Sequence, residues 1–325
     1  MTIYFLAPEN KKPSGGVKII YRHTDILNRN GIDAAVLHQQ RGFRSTWFNN
    51  TTRIMYLSDT NIRESDYLVV PEVYGPNIPN IGKLLNIESG VKKIIFNQGC
   101  YNTFFGYSFD SIYSGKLITP YTMHDEFVAA IVVSENSKNY LQHLSPILKI
   151  FRIHNAIDPD LFTFAPPEKK QICFCPDKHP EDAFQVLAIL LLRGVLDEYT
   201  IAPITGIREQ QVAEVMRESS LFLSTGYHEG FGLLPAEAMA CGCIVAGYDG
   251  MGGKEYFREE FTYPVPLGDV IAFASTVERI IKEFDRNPEM LIEKAGMAAA
   301  FINDQYALPV EEKDILDTWN AIADI

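Results

Sequence analysis

Glu229 and Glu237 stand with seven residues between them inside the stretch Ser224 to Gly253, which reads S-T-G-Y-H-E-G-F-G-L-L-P-A-E-A-M-A-C-G-C-I-V-A-G-Y-D-G-M-G-G. Between them lie the turn Gly230-Phe231-Gly232 and Pro235, a residue suited to the first position of a helix, where a missing N–H costs nothing. Leu234 before it is a poor cap, so the N–H groups of that helix start need an acceptor, and a diphosphate can supply one. A carboxylate on either side, Glu237 in the first helical turn and Glu229 in the loop before it, accepts paired hydrogen bonds from vicinal hydroxyls such as those of a ribose or hexose. Hydroxyls at both ends with phosphate in the middle is the outline of a nucleotide sugar. The bland alternative is a Glu237 that only complements the helix dipole and a solvated Glu229. The glycines, the proline and the following Ala-Met-Ala-Cys-Gly run favour the ligand reading.

A second glycine pair, Ser14-Gly15-Gly16, follows one apolar run and opens a helical one. Backbone N–H groups there can approach an anion, although paired glycines also make ordinary turns.

These positions must be held by elements of an α/β fold. Short β-rich apolar runs alternate with helical patterns, the signature of parallel layers. In the first half the expected strands are Ile3–Ala7, Asp33–His38, Tyr67–Pro71, Lys93–Asn97, Ala130–Ser134 and Lys149–Ile153. A helix from Val17 to Asn30 carries apolar residues at Val17, Ile20, Tyr21 and Leu27 and stops at Gly31. After a proline and charge cluster, Ala165-Pro166-Pro167-Glu168-Lys169-Lys170, read as a linker, a second series follows. Its strands are Ile172–Cys175, Tyr199–Pro203, Leu221–Ser224, Ile244–Gly247 and Thr262–Val265, and a helix there turns Val212, Val215, Met216 and Ser219 inward.

With 325 residues, 46% of them hydrophobic and 22% charged, the chain has the size of two globular domains. No apolar run approaches the roughly 20 residues that span a bilayer, and the opening Thr2–Ala7 reads as a buried strand rather than a signal peptide. The expected location is the cytoplasm, with a peripheral position at the inner face of the membrane as the variant. The net charge of −12 is uneven: residues 1–160 hold 16 Lys and Arg against 14 Asp and Glu, and residues 161–325 hold 13 against 27. The acidic second half argues against non-specific binding to nucleic acid or anionic lipid through that half, and the near-neutral first half leaves both open there.

Cys173 and Cys175, and likewise Cys241 and Cys243, form C-x-C pairs, but neither fits a zinc pattern, and with Cys100 they read as buried thiols. No Asp-x-Asp pair flanks the glycine-rich stretch, so neither metal nor cofactor is expected. Arg22, His23, Arg41 and Arg44 form the sharpest basic cluster of the first half. A solvated loop is its default reading, and an anionic acceptor such as a lipid-linked phosphate the speculative one.

The Glu229–Glu237 segment resembles the E-x7-E donor motif of retaining glycosyltransferases with the GT-B fold, those grouped as glycosyltransferase family 4. Ser14-Gly15-Gly16 looks like that family's first glycine loop, and Gly250-Met251-Gly252-Gly253-Lys254-Glu255 like its glycine turn after the next strand. Val132–Ser137 followed by His154–Asp158 resembles the segment leading into its interdomain crossing. The resemblance implies two Rossmann-like domains with parallel sheets facing across a cleft. Residues 1–160 would be the acceptor domain, 161–305 the donor domain, and 306–325 a C-terminal helix packing back on the first. Donor-binding residues would be Gly15, Gly16, Lys178, Thr205, Gly206, Glu229, Gly230, Phe231, Gly232, Leu233 and Glu237, with Glu229 on sugar hydroxyls, Glu237 on the ribose and Thr205-Gly206 near the base. The catalytic set would be Glu229, Lys178 and Asn97.

Two departures stand out. The family usually aims an arginine and a lysine at the diphosphate. Here Pro176-Asp177-Lys178-His179 offers the lysine, no evident arginine, and an aspartate that must point away. Where many members carry a histidine near the reacting carbon, this chain reads Phe96-Asn97-Gln98-Gly99-Cys100-Tyr101. Asn97 or Gln98 can orient a hydroxyl there but cannot exchange a proton at neutral pH. The function implied is transfer of a sugar from a nucleotide-sugar donor to a hydroxyl of a glycan, glycolipid or similar acceptor, with retention. The alternatives are a nucleotide-sugar epimerase or phosphorylase of the same fold, or a non-catalytic sugar-nucleotide-binding protein.

Overall fold

The computed structural model describes residues 1–10, 12–87, 90–166 and 169–325. Pro167 and Glu168, within the expected linker, lie outside the described residues. The chain divides into two compact units, Met1–His154 with Glu311–Ile325, and Asn155–Val310.

The first unit is built on seven parallel strands: β1 (Ile3–Leu6), β2 (Ala34–His38), β3 (Ile54–Tyr56), β4 (Tyr67–Pro71), β5 (Lys92–Asn97), β6 (Phe127–Val132) and β7 (Lys149–Arg152), in the order β3-β2-β1-β4-β5-β6-β7. Their continuous apolar runs follow from burial on both faces, as parallel sheets require. Helix Gly15–Arg29 follows β1 and buries Val17, Ile20, Tyr21 and Leu27. β3 has no counterpart in the sequence reading; it is a half-buried edge strand of three residues, too short for its alternation to register.

The C-terminal helix Leu308–Ala323 supplies the last side chains of this unit's core. Trp319 Nε1 donates to His23 Nε2 at 2.8 Å, and Arg22 Nη2 donates to Glu311 Oε1 at 2.8 Å. Burial drives the pKa of His23 down to about 3, so its ring is neutral and accepts the indole proton.

The second unit carries β8 (Gln171–Phe174), β9 (Thr200–Pro203), β10 (Leu221–Ser224), β11 (Ile244–Gly247) and β12 (Tyr263–Pro264), parallel and in the order β12-β11-β10-β8-β9. The helices Pro180–Leu192, Glu209–Arg217, Leu233–Cys241, Val270–Arg286 and Pro288–Gln305 accompany them. In Glu209–Arg217 the buried face centres on Ala213 and Met216. Parallel strands put all their carboxyl ends at one edge of a sheet, which is where open α/β folds bind ligands. The loops of the candidate site leave their strands at such an edge.

Candidate donor site

In the second unit the loops after β8, β9, β10 and β11 carry Lys178, Thr205-Gly206, Glu229–Gly232 and Gly250–Gly253 respectively. The β10 and β11 loops are zipped together. Glu229 N–H donates to the Gly250 carbonyl at 2.8 Å and Gly252 N–H donates to the Glu229 carbonyl at 3.2 Å. Gly252 must be glycine on contact grounds alone: a Cβ there would sit 2.2 Å from the Gly230 carbonyl oxygen. Below the loops Phe231 is buried, its ring centroid 5.1 Å from that of Tyr256 and 5.0 Å from that of Tyr306. Phe231 therefore anchors the loop from beneath and offers a ligand only its backbone.

The helix after this loop begins earlier than its proline suggests. It spans Leu233–Cys241 with Gly232 as N-cap at φ 86°, so Pro235 is the third helical residue rather than the first. Glu237 is correspondingly the fifth residue, beyond the first turn, and it is buried. That correction removes the bland reading of Glu237, because dipole complementation falls off within one turn. Gly232 offers no side-chain cap. Among the described residues, the N–H groups of Phe231, Gly232, Leu233 and Leu234 find no acceptor. Four free donors beside two carboxylates make a cradle for an anion that carries hydroxyls.

Lys178 Nζ lies 2.6 Å from Glu229 Oε1, and Thr225 Oγ1 donates to the Lys178 carbonyl at 2.5 Å, which ties the β8 loop to the β10 loop. Asp177 is held by Thr205, whose hydroxyl donates to it at 2.8 Å. The aspartate and the expected base-proximal threonine thus occupy each other. His179 caps helix Pro180–Leu192 from a left-handed backbone and stacks on Tyr227, with ring centroids 3.4 Å apart.

Gly15, Gly16 and Asn97 lie in the first unit. Gly15 opens helix Gly15–Arg29, and Gly16 lines a cavity of about 470 Å³ with Glu9, Ser14, Glu72, Tyr74 and Gln98. Gln98 Nε2 donates to the Gly16 carbonyl at 3.0 Å. Asn97 does not face this cavity. It is fully buried and its amide donates to Thr103 Oγ1 at 2.9 Å and to the Tyr121 hydroxyl at 2.6 Å. This geometry withdraws Asn97 from the catalytic set: strand alternation turns it into the core and its neighbour outward. Glu72, which sequence reasoning passed over, is buried at the cavity wall and accepts from Gln98 N–H at 3.1 Å. Burial raises its pKa to about 7, opposed by backbone hydrogen bonds from Gln98 and Gly99. The available signal was a carboxylate directly after an apolar parallel strand.

The basic cluster dissolves in the structure. Arg22 pairs with Glu311, and His23 is buried against Trp319. Arg44 donates to Asn50 and to the Thr52 carbonyl, and Arg41 lies 3.5 Å from Asp59. Residues adjacent in sequence are spent on different neighbours, so no anion site forms from the four. All five cysteines are free thiols. Burial raises Cys243 well above its ordinary value, beside Cys173. No helix among the described residues is long and apolar enough to cross a membrane.

Two units, each a parallel sheet accompanied by helices, have the architecture of the GT-B fold. Residues 203–296 match the family model described as glycosyl transferases group 1, a span that holds both glutamates and the Gly250–Gly253 turn. The chain is a retaining glycosyltransferase, moving a sugar from a nucleotide-sugar donor to a hydroxyl acceptor. It is 26% identical over 294 residues to an alpha-1,6-glucosyltransferase of Actinobacillus pleuropneumoniae, covering 87% of this chain and 84% of the relative. Among solved structures, a sucrose-phosphate synthase of Thermosynechococcus elongatus superposes with a TM-score of 0.71 at 12% identity, covering 99% of both chains. HepE of Anabaena, in complex with UDP and glucose, superposes with a TM-score of 0.68 at 14% identity over 99% of this chain and 100% of that one. The pneumococcal O-GlcNAc transferase GtfA, in complex with UDP and GlcNAc, gives 0.67 at 10% identity over 100% and 98%. At these identities the structural likenesses speak for the fold.

Proposed function

We propose that the donor is a uridine diphosphate hexose, glucose first among the candidates, held in the second unit by the β10 loop and the helix start that follows. The observation that carries this reading is the set of unsatisfied N–H groups from Phe231 to Leu234 between Glu229 and the buried Glu237. In this assignment Glu229 and the Gly230–Leu233 backbone contact the sugar and diphosphate, Glu237 the ribose, and Thr205-Gly206 border the base. The choice of uridine and glucose leans on the relatives, one named as a glucosyltransferase and two solved with UDP.

The chemistry is positioning and charge stabilisation. The acceptor oxygen attacks the anomeric carbon as the bond from that carbon to the phosphate oxygen breaks, its electron pair leaving with the diphosphate. The acceptor proton passes to the departing phosphate oxygen on the same face, which gives retention without a protein base. Lys178 and the helix-start N–H groups stabilise the charge that develops there. Lys178 also neutralises Glu229, so that a carboxylate can stand near a diphosphate.

In this reading the first unit takes the acceptor hydroxyl, its Gly15-Gly16 turn and cavity forming the receiving surface. With the four basic residues engaged elsewhere, the cavity presents Glu9, Glu72 and neutral polar groups. Action in the cytoplasm is part of the proposal.

A thermal-shift panel of UDP-, GDP- and ADP-sugars tests the donor class, since a ligand that binds only the native state raises its melting temperature. UDP-glucose should give the largest shift. A shift with GDP- or ADP-sugars alone would replace the uridine assignment.

A further inference from the structure

One side chain holds the backbone carbonyls from which the free N–H groups project. The Tyr256 hydroxyl donates toward the Gly232 carbonyl at 2.6 Å and lies 3.0 Å from the Phe231 carbonyl. Its ring is wholly buried, packed against Phe231, Phe257 and Tyr306 with centroids 5.1, 6.0 and 6.0 Å away. Space for the hydroxyl exists because two neighbours lack side chains. A Cβ on Gly232 would come within 2.6 Å of it, and one on Gly253 within 2.9 Å. Burial raises the phenol well above its ordinary pKa, so it remains a donor throughout the working pH range.

A trans peptide is planar, with C=O and N–H pointing in opposite directions. Holding the Phe231 carbonyl therefore aims the Gly232 N–H, and holding the Gly232 carbonyl aims the Leu233 N–H. Gly232 sits in the left-handed region at φ 86°, where a residue without Cβ has no side-chain packing to fix its peptide planes. As N-cap its carbonyl accepts the first helical hydrogen bond, and the Tyr256 hydroxyl adds a side-chain hold on that carbonyl and on the one before it. We infer that Tyr256 is a positioning residue of the donor site, its hydroxyl presetting the 231–233 peptides so that two N–H groups meet the donor's diphosphate. It touches no ligand. The inference rests on the donor-site reading above, and it adds that the cradle is preorganised by a residue outside the E-x7-E segment.

Tyr256→Phe removes one oxygen and leaves the ring packing in place. The test is calorimetric affinity of wild type and Tyr256→Phe for three pairs: UDP and UMP, GDP and GMP, ADP and AMP. In the pair that wild type binds, the diphosphate should be favoured, and Tyr256→Phe should cut that preference about tenfold while monophosphate affinity stays within about twofold, as loss of one aimed charge-assisted contact implies. A looser fold would weaken both nucleotides alike. Equal loss of both, or a preference that survives intact, overturns the role of Tyr256. No diphosphate preference in any wild-type pair overturns the donor-site reading instead. Should Tyr256→Phe fail to fold, amide exchange in wild type serves: UDP, and not UMP, must slow exchange at Gly232 and Leu233. Equal protection by both nucleotides counts against the inference.

Discussion

Lys178 Nζ and Glu229 Oε1 are 2.6 Å apart, in loops that leave different strands of the second sheet. The lysine is 45% exposed and the glutamate 24%, so the pair adds at most about 1 kcal/mol to stability once solvent screening is counted. Its consequence lies in function. Lys178→Ala should move the melting temperature by no more than a few degrees. It should lower kcat/KM about a hundredfold, because Glu229 would then meet the diphosphate without a neutralising partner. Steady-state kinetics beside differential scanning calorimetry separates the two effects.

Glu72 provides a pH signature. Its folded pKa of about 7 lies above the ordinary value of 4.5, so the native state holds a proton that the unfolded state releases. The stability this contributes is complete below pH 4.5 and is lost as pH rises through 7. Each pKa step is worth about 1.4 kcal/mol, so the ionised carboxylate costs a few kcal/mol in mildly alkaline solution. His23 runs the other way, its folded pKa of about 3 against 6.5 giving stability that is lost as pH falls below 6.5. From pH 5 to 6.5 the two slopes oppose each other, so wild-type urea midpoints should stay nearly level there, dip slightly up to about pH 7 and be flat above it. Glu72→Gln leaves the His23 slope alone, so its midpoint should rise with pH between 5 and 6.5 and match or exceed wild type at pH 8.

Gly252 separates steric need from conformational need. Its Cβ would overlap the Gly230 carbonyl, so Gly252→Ala must part the β10 and β11 loops. Gly31, at φ +77° with open space around it, pays only the backbone cost of about 1–2 kcal/mol on conversion to Ala. Gly252→Ala should therefore lose donor binding altogether, whereas Gly31→Ala should bind donor as wild type does while melting a few degrees lower. Parallel calorimetric titrations and melts decide this.

The strands of both sheets were legible because burial on both faces writes them as unbroken apolar runs; Tyr67–Pro71, Leu221–Ser224 and Ile244–Gly247 have the expected bounds. β3 was not, since three half-buried residues carry too little pattern. The glutamate spacing stood out because glycine and proline punctuate it. The helix start was misplaced by two residues because Leu233 and Leu234 carry no capping signature, and the cap is a left-handed glycine. The sequence named Asn97 and Gln98 together, but only strand parity decides which one faces the cavity. The basic cluster misled for a related reason. Proximity in sequence does not report the partners, Glu311, Trp319, Asn50 and Asp59, that each residue finds in space. Tyr256 was invisible because its contacts are to backbone carbonyls 24 and 25 residues away.

The central claim is that a sugar nucleotide lies against the helix start with its ribose on Glu237. Calorimetric titration of UDP-glucose into wild type and Glu237→Gln tests it most directly. The substitution keeps the shape of a buried side chain and removes the charge that strengthens its hydrogen bonds to hydroxyls. A charge-assisted bond is worth about 1.5–3 kcal/mol, so affinity should fall about 10- to 100-fold with the fold intact. Unchanged affinity in a folded Glu237→Gln protein would contradict the account.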